Sequence, residues 1–511
     1  MATLEQEGAE FDSPRQPAIT LPKVRWTQIL AISVFALALN FHWSAISIII
    51  LPSQVFKLVG ALHKGEALAF VLVPGAFVSL FANPFFGMLS DRTRGWLASW
   101  GRRRPYILLG TLVNIGALIW MAVAPDIPSL ALAYILVQFS SNAAQATFHA
   151  LLPDLVPPEQ RGLTSGTIGF LSTIGSIGGV ILAGMLIDAR NPLPVYQQKL
   201  VLTYGIIIGV LLTFMLITII SVRERRGLSA RLAAQEEAQA AEQPSSSQQP
   251  ARRPWITRST VLNVVGTLIV AGIAWGIMTL WNAVHFAGVL ISGDVQQLIL
   301  EVIVTIGLLR LFDFHPRRDP DFGWVLLTRL VMMLGIYTIQ TFLQFYLRDA
   351  VGVPNPEQET TSFVIIVSLT SLGSAFVAGW LSDKFGRKRM VYLSGGFMAV
   401  VGLVFIITQS LPIVLVAAAI FGLGYGAYTS VDWALVADVL PSHKNYARDM
   451  GVWNISLSLP QVIAPILGGP LIDHFTATHQ PILGYQVLFG MAIIYCLIGT
   501  AAVSFIRGVK K

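Results

Sequence analysis

Long apolar stretches alternate with short polar turns over most of this chain. About 20 consecutive apolar residues are needed for a helix to cross a bilayer, and the sequence contains such stretches repeatedly. A first series lies near residues 26–51, 67–89, 105–124, 128–152, 165–187 and 199–222. A second series lies near residues 322–347, 361–381, 390–410, 412–437, 450–472 and 484–506. The pattern predicts an all-α membrane protein built from two six-helix halves.

The sequence between the two series is longer than a plain six-plus-six plan requires. Residues 223–259 are polar and rich in Ala, Gln, Glu and Ser, which is typical of a linker. Residues 260–313 are apolar again and predict two extra spans, near 261–287 and 295–312, for 14 in all. The second of these is short and carries Glu301, so a half-inserted helix is also open. A chain of 12 spans is therefore the alternative.

The domain plan that follows has a short tail at each end. Its parts are an N-terminal tail 1–25, an N-terminal half 26–222, a linker 223–259, the two extra helices 260–313, a C-terminal half 322–506 and a C-terminal tail 507–511. Apolar residues make up 54% of the chain and charged residues 12%. A typical soluble protein has about 25% charged residues, so the composition agrees with the membrane assignment.

The positive charges fall mainly on one side of this plan. Of 34 Lys and Arg residues, the loops of the other side hold only Lys57, Lys64, Arg190, Lys199 and Arg348. Short cytoplasmic loops carry an excess of Lys and Arg, which predicts that both termini and the linker are cytoplasmic in a multi-pass protein of the plasma membrane. The net charge of +7 then needs no nucleic-acid partner.

One cationic motif occurs twice, about half the chain apart. The first copy is Gly87-Met-Leu-Ser-Asp91-Arg92, which continues after a longer loop as Gly101-Arg102-Arg103-Arg104-Pro105. The second copy is Gly379-Trp-Leu-Ser-Asp383-Lys384-Phe-Gly386-Arg387-Lys388-Arg389. Each copy lies between two long apolar stretches. Internal repeats of this kind indicate a transporter made of two related halves.

A second pair of matching segments keeps the same spacing. Asp154 follows Arg102 by 52 positions and Asp438 follows Arg387 by 51, each within an Ala-Leu-Leu/Val-Pro/Ala-Asp segment. The repeat therefore includes two segments at a nearly constant spacing and is more than a single motif.

These residues carry a family resemblance. The second copy is similar to the cytoplasmic loop signature of the major facilitator superfamily at each defining position. The first copy, with its ending Gly101-Arg-Arg-Arg-Pro105, resembles the sucrose-proton symporters and the glycoside-pentoside-hexuronide:cation symporter branch. The resemblance implies a monomeric secondary transporter that works by alternating access. It also implies that the two motif copies form a cytoplasmic gate, while the extra spans depart from the twelve-helix pattern of that branch.

Ionisable residues inside the spans form a short list, since such groups are costly at membrane depth unless they are paired or hydrated. The list is His42, His149, Glu301, Arg329 and Asp432. Arg329 and Asp432 sit about 10 Å inside the cytoplasmic boundary at 1.5 Å per residue, so we expect them to meet. An acid held by an Arg and released by protonation is a workable proton-coupling device, and a static ion pair is the alternative. His149 is a further ion-coupling candidate, because imidazole changes charge near neutral pH.

Polar and aromatic side chains on the expected cavity-lining helices are the substrate candidates. Hydroxyls and amides hydrogen-bond sugar hydroxyls, but in membranes they also bond helix to helix. The candidates are Asn40, His42, Trp43, Asn142, Gln145, Tyr337, Gln340, Gln344, Asn454 and Gln461.

The sequence therefore predicts a proton-coupled symporter of a small sugar or glycoside, with Na⁺ as the other possible ion. A proton-driven exporter of amphipathic molecules is the alternative, and a non-transporting membrane sensor is an alternative of another class. No Gly-Lys dipeptide of an ATPase loop is present, and the single Cys496 excludes an internal disulfide. No cofactor, metal site or enzymatic activity is expected.

Overall fold

The computed structural model describes residues 23–91, 93, 100–222, 258–284, 291, 293–311, 319–439 and 446–507. Within these residues all regular secondary structure is helical, as the apolar pattern predicts. The N-terminal half contains α1 (Trp26–Val59), α2 (Lys64–Asp91), α3 (Arg104–Ala122), α4 (Ile127–His149), α5 (Pro158–Leu186) and α6 (Leu193–Ser221). A π-helical segment at Ala45–Ile50 interrupts α1.

The inserted pair and the C-terminal half follow in the predicted order. The pair is α7 (Arg258–Val284) and α8 (Gly293–Leu311). The C-terminal half contains α9 (Pro320–Tyr346), α10 (Pro356–Phe385), α11 (Arg387–Ile407), α12 (Leu411–Val439), α13 (Tyr446–Ala477) and α14 (Pro481–Ala502). The linker 223–257 lies outside the described residues.

Thirteen helices among the described residues are long and apolar enough to cross a membrane. In α8 the apolar part is shorter and covers Leu298–Gly307. The two extra helices are therefore present, and the shortness that the sequence indicated for the second of them is a property of the fold.

The two halves pack their helices in the same way. In the N-terminal half α2 packs on α4, α3 on α4 and α6, and α1 on α5 and α6. In the C-terminal half α10 packs on α12, α11 on α12 and α14, and α9 on α13 and α14. Each pairing of one half thus has its counterpart eight helices later. The repeated register of the sequence is a repeat of tertiary packing.

Glycines permit the closest of these helix contacts. A Cβ added at any of four glycines would collide with the backbone of a neighbouring helix. Gly175 and Gly179 of α5 lie against α1, and Gly422 and Gly426 of α12 lie against α10. Small residues at such spacing let helices approach closely in membranes.

Equivalent helices of the two halves make the contacts between the halves. α2 of the first half packs on α13 of the second, and α10 of the second half packs on α5 of the first. We call the membrane side where α2 and α10 end the motif side, and the side that carries Lys64 and Asp349 the opposite side. The inserted α7 and α8 pack on each other, and α8 contacts α13.

A glycine pair forms a close seam between the halves. Gly65 of α2 and Gly469 of α13 lie so close that a Cβ on either would collide with the backbone of the other. An apolar cluster continues this seam with Ala69, Val73 and Ile466, and Leu298 of α8 packs against it.

Substituting Gly469→Ala should therefore destabilise the protein. Overpacking of this kind costs about 1–3 kcal/mol, which we expect to lower the midpoint of thermal unfolding of the protein in detergent. Gly490→Ala on α14 is the matched control, because an added Cβ there meets no atom within 4 Å. Equal midpoints for the two variants would contradict a seam of this tightness.

Candidate functional site

A buried ion pair joins α9 to α12. Arg329 Nη1 donates to Asp432 Oδ2 at 2.6 Å, and both side chains are at most 5% exposed. The Tyr428 hydroxyl donates to the second carboxylate oxygen, Oδ1, at 3.3 Å. The meeting that the sequence predicts from the similar depth of these two residues is thus confirmed. Each charge has its counter-charge in place, as burial at membrane depth demands.

The ring of Trp453 covers one face of the same guanidinium. Its centroid lies 3.3 Å from Arg329 Cζ, and the indole is buried edge-on against Trp433. A desolvated cation–π contact of this type attracts the cation whether or not an acid is present. Because Trp453 belongs to α13, the cluster ties together three helices of the C-terminal half. Sequence reasoning missed Trp453, although its neighbour Asn454 was a candidate.

The substrate candidates on α9 lie in two different surroundings. Gln461 of α13 donates to the Tyr337 hydroxyl at 2.9 Å, so two substrate candidates from different helices meet. Gln340, about one turn along from Tyr337, is partly exposed. Gln344 is buried and donates to Glu357 Oε1 at 3.2 Å. This corrects the assignment of Gln344 as a substrate candidate, because its side chain belongs to a polar cluster of the opposite side.

The candidates on α1 lie in contrasting surroundings. His42 is fully buried, and neither ring nitrogen has a hydrogen-bond partner in the part of the chain that the structure describes. Its ring lies edge-on to Trp43, with the centroids 4.8 Å apart. Trp43 and Asn40 are partly exposed, and Asn40 donates to the Ala36 carbonyl at 2.9 Å. His42 is therefore an interior residue, whereas Asn40 and Trp43 remain accessible.

On α4 the polar side chains form a ladder along the helix. Asn142 donates to the Gln138 carbonyl at 2.7 Å, and Gln138 donates to the Tyr134 hydroxyl at 2.9 Å. These bonds satisfy Asn142 within its own helix, which fits the helix-packing alternative for that residue. Gln145 and His149 lie further along, with side-chain nitrogens 3.5 Å apart, and both are accessible.

Asp154 binds the arginines of the first motif copy. The sequence analysis identified this residue only through its repeated spacing from Arg102. Asp154 Oδ2 accepts from Arg102 Nη2 at 2.9 Å and from Arg103 Nε at 3.0 Å. Arg103 Nη1 also donates to Ser90 Oγ at 2.5 Å and to the Gly87 carbonyl at 3.4 Å. Arg103 therefore bridges the end of α2 to the segment after α4.

The second copy repeats the backbone geometry of the first. Ser382 Oγ donates to the Gly379 carbonyl at 2.7 Å, as Ser90 Oγ does to the Gly87 carbonyl at 2.8 Å. Gly101 and Gly386 both have positive φ, of 116° and 93°. Only glycine adopts such φ values without strain, which accounts for a glycine before each run of cations.

Other side chains of the second copy hold the end of its helix bundle. Lys384 Nζ lies 3.9 Å from the centroid of the Trp380 ring, and Lys388 donates to the Ile506 carbonyl. Arg387 also has a partner. The side chains of Asp91, Asp383, Asp438, Asn454 and Glu301, and the whole of Arg92, lie outside the described residues. Their predicted roles stay predictions.

On the opposite side, a buried carboxylate joins the two halves. Glu357 of α10 is fully buried, and its Oε1 accepts from Ser53 of α1 at 2.8 Å and from Arg348 at 2.8 Å. The Arg348 guanidinium in turn lies 3.7 Å from the centroid of the Phe56 ring in α1. Sequence reasoning missed Glu357, because the predicted span began only at residue 361.

A second polar contact between the halves lies beside it. Lys64, at the start of α2, forms an ion pair with Asp349, and the Tyr485 hydroxyl donates to the same carboxylate oxygen at 2.5 Å. Asp473 of α13 accepts from the backbone N–H groups of Gly65 and Glu66 at 2.9 and 2.8 Å. A carboxylate at a helix N-terminus satisfies unpaired N–H groups and the helix dipole. The halves are thus held closed on the opposite side.

Comparisons with curated proteins reach only part of each relative. The chain is 28% identical over 151 residues to solute carrier family 45 member 4 of Mus musculus, covering 26% of this chain and 18% of that protein. It is 25% identical over 160 residues to the multidrug efflux pump LfrA of Mycolicibacterium smegmatis, covering 31% and 32%. It is 23% identical over 187 residues to myo-inositol transporter 2 of Cryptococcus neoformans, covering 34% and 33%. The matched segments thus span a third or less of these relatives.

The likeness to solved structures extends over nearly the whole chain. A bacterial homologue of the human lysosomal transporter Spinster, crystallised in an inward-facing and unoccupied conformation, superposes with a TM-score of 0.61 at 14% identity. The match covers 94% of this chain and 97% of the other, and it shows a shared fold. A family model described as Major Facilitator Superfamily matches residues 24–309 and 319–511. The chain therefore belongs to the major facilitator superfamily, a family of membrane transporters.

Proposed function

We propose that the protein is a proton-coupled symporter that imports a small sugar or glycoside by alternating access. The observation that carries the proposal is the buried cluster of Arg329, Asp432, Tyr428 and Trp453. It is the kind of titratable group, paired and shielded from lipid, that marks an ion pathway in a transporter.

The chemistry of the cluster suits a reversible charge change. A proton on Asp432 would cancel the carboxylate charge and weaken the hydrogen bond from Arg329, which would then lack its anion. Removing one partner of a buried ion pair is costly. The Trp453 face would keep the guanidinium in place by cation–π attraction. The charge imbalance would thus favour a rearrangement of α9 against α12, which is how a proton could drive the transport cycle. Na⁺ is the alternative coupling ion.

The proposed direction of transport rests on the sidedness of the closed contacts. We place the motif side in the cytoplasm because cations concentrate there, and both termini would then lie on the cytoplasmic side. The proposal further takes the protein to be a monomer of the plasma membrane. The contacts of Glu357 and Lys64 then close the external side, and the described state corresponds to an inward-facing one.

The proposed substrate class rests on accessible hydrogen-bonding groups. Tyr337, Gln340 and Gln461 on one half, with Asn40 and Gln145 on the other, offer hydroxyl and amide groups of the kind that bind sugar hydroxyls. Trp43 adds an aromatic face. One relative is named a myo-inositol transporter. Because myo-inositol is a polyhydroxylated solute, this similarity supports a sugar-like substrate.

Export of amphipathic compounds is the second candidate function. It is favoured by the similarity to the efflux pump LfrA. The two candidates differ in direction: a symporter accumulates solute when the proton gradient points into a proteoliposome, whereas an exporter in the same orientation depletes it. A sugar panel and a panel of fluorescent amphipathic cations, run with both gradient directions, separate the two.

Substituting Asp432→Asn should uncouple transport from the proton gradient. The amide keeps the size of the side chain but binds no proton in the physiological range, so uphill accumulation should fall by about tenfold or more, the equivalent of at least ~1.4 kcal/mol. Counterflow of substrate down its own gradient should persist. Both quantities are measured in proteoliposomes with an imposed pH difference.

The matched control is Glu159→Gln, which neutralises an exposed acid in the first turn of α5. Uphill accumulation should be unchanged in this variant. If Asp432→Asn also accumulated substrate at the wild-type level, Asp432 would be a static partner of Arg329 and not the coupling acid.

Substituting Tyr337→Phe should weaken substrate binding without uncoupling. In the proposed site the Tyr337 hydroxyl accepts from Gln461 and donates to a substrate hydroxyl. Loss of that one hydrogen bond to the substrate costs about 1 kcal/mol, or roughly fivefold in affinity. We expect KM for uptake to rise by that factor while the accumulation ratio is kept. Tyr392→Phe, on an exposed site of α11, is the control. An unchanged KM in Tyr337→Phe would remove this residue from the substrate site.

Substituting Glu357→Gln should favour opening of the opposite side. The amide leaves Arg348 without its anion, and breaking a buried pair costs about 3–5 kcal/mol, enough to raise the population of the opened state at least tenfold. Spin labels at Leu193 and Ile482, both exposed on this side of different halves, report the change in a Cys496→Ser background as longer interspin distances.

Glu359→Gln is the control, because it changes an acid of the same first helical turn. Its distance distribution should match that of the parent protein. Identical distributions in the Glu357→Gln variant would show that this carboxylate does not hold the halves together.

A further inference from the structure

The inserted helices enclose a groove of their own. A cavity of about 360 Å³ lies between α7 and α8, lined mainly by aliphatic side chains and glycines. Its polar groups are Asn263, Thr267 and Arg310. The helices touch at Thr267 and Gly307, where a Cβ on the glycine would collide with the threonine side chain. The groove is thus built by a specific helix crossing and is separate from the cluster at Asp432.

The only charge in the lining of this groove is positive. Arg310 is the penultimate residue of α8, on the motif side, and its side chain is exposed. In the portion of the chain that is described, no carboxylate forms an ion pair with it. Asn263, near the start of α7, lines the same end of the groove. Arg310 and Asn263 therefore lie at the motif-side end of a groove whose remaining lining is mainly apolar.

The groove opens to lipid rather than to the core. Leu262 and Val270, which line it, are 61% and 52% exposed, and Ile273 and Ile277 continue this exposed apolar surface along α7. On the other side, α8 packs through Leu298 against the seam between α2 and α13. A ligand in the groove would therefore be a component of the bilayer in contact with the inserted pair.

We propose that this groove binds an anionic phospholipid. The phosphate lies on Arg310 and Asn263, and one acyl chain runs along Val270, Ile303 and Ile306. Basic sites between transmembrane helices are the places where anionic head groups bind. A free phosphate ion would leave the apolar lining unused, and a zwitterionic lipid would gain less from an unpaired arginine. The inserted helices thus form a lipid-binding module attached to the α2–α13 seam.

The test uses a photoreactive phosphatidylglycerol with a diazirine in its acyl chain. The full-length protein is reconstituted in phosphatidylcholine vesicles with this probe, irradiated, and the labelled peptides are identified by mass spectrometry. We expect labelling of α7 and α8 that excess phosphatidylglycerol reduces at least tenfold and that equal phosphatidylcholine does not. Arg310→Gln should reduce the labelling by about fivefold or more, the loss of one charge-assisted contact.

A second variant tests the groove without touching the charge. Gly266 lines the groove, and a Cβ there meets no atom within 4 Å, so Gly266→Leu should fill the cavity while the helix still forms. Labelling should again fall about fivefold or more. The matched controls are Gly276→Leu, an equally open position of α7 outside the groove, and Arg507→Gln, an exposed arginine on the motif side. Both should label like the wild type.

Three results would overturn the proposal. Phosphatidylcholine could compete as well as phosphatidylglycerol, which would show ordinary annular lipid. Inorganic phosphate could compete, which would show a free-anion site. Labelling could survive both Arg310→Gln and Gly266→Leu, which would place the lipid elsewhere. Circular dichroism and monodispersity of each variant establish that loss of labelling is not loss of fold.

Discussion

A hydrocarbon interior cannot solvate an isolated charge, and this constraint decides where the polar side chains of this transporter lie. Arg329 meets Asp432, Arg348 meets Glu357, and Lys64 meets Asp349. Each cation also lies on an aromatic ring, those of Trp453, Phe56 and Phe345 respectively. Cation–π contact supplies attraction that does not depend on the protonation of the acid. The pairs can therefore lose an acid without expelling the cation.

The position of each pair gives it a different consequence. Arg329 and Asp432 belong to one half, so their contact affects the packing of helices inside that half. The contacts of Glu357 with Ser53, and of Lys64 with Asp349, cross from one half to the other. Opening the opposite side must break these crossing contacts together with the backbone cap at Asp473. The same physical rule thus produces a candidate coupling site and a candidate gate.

The inserted helices α7 and α8 add a surface to the two six-helix halves. They pack on each other and reach the rest of the molecule through α8, so they leave the paired arrangement of the halves intact. Their contact at Leu298 lies on the glycine and alanine seam between α2 and α13. A ligand bound between α7 and α8 would therefore lie close to the seam where the two halves meet.

The helices, their order and the relation between the halves can all be predicted from the sequence. Apolar length and the repeated spacing of the motifs are properties of the sequence itself, and both are readable because a bilayer imposes one length and one backbone geometry on every span. Helical rise converts sequence position into depth, and the similar depths of Arg329 and Asp432 predicted that the two side chains meet. Asp154 was visible as a conserved spacing but not as the partner of Arg102 and Arg103.

Most contacts between polar groups of different helices depend on how the helices pack and are seen in the folded structure alone. The rotation of a helix about its axis depends on all its neighbours, so sequence could not show that Gln344 turns to Glu357 or that His42 is enclosed. Nor could it show that Trp453 covers Arg329. Glu357 escaped notice because its helix begins five residues before the apolar run. The depth of a residue follows from its position along one helix. The direction in which its side chain points, and the side chains that it meets, depend on the packing of all the helices.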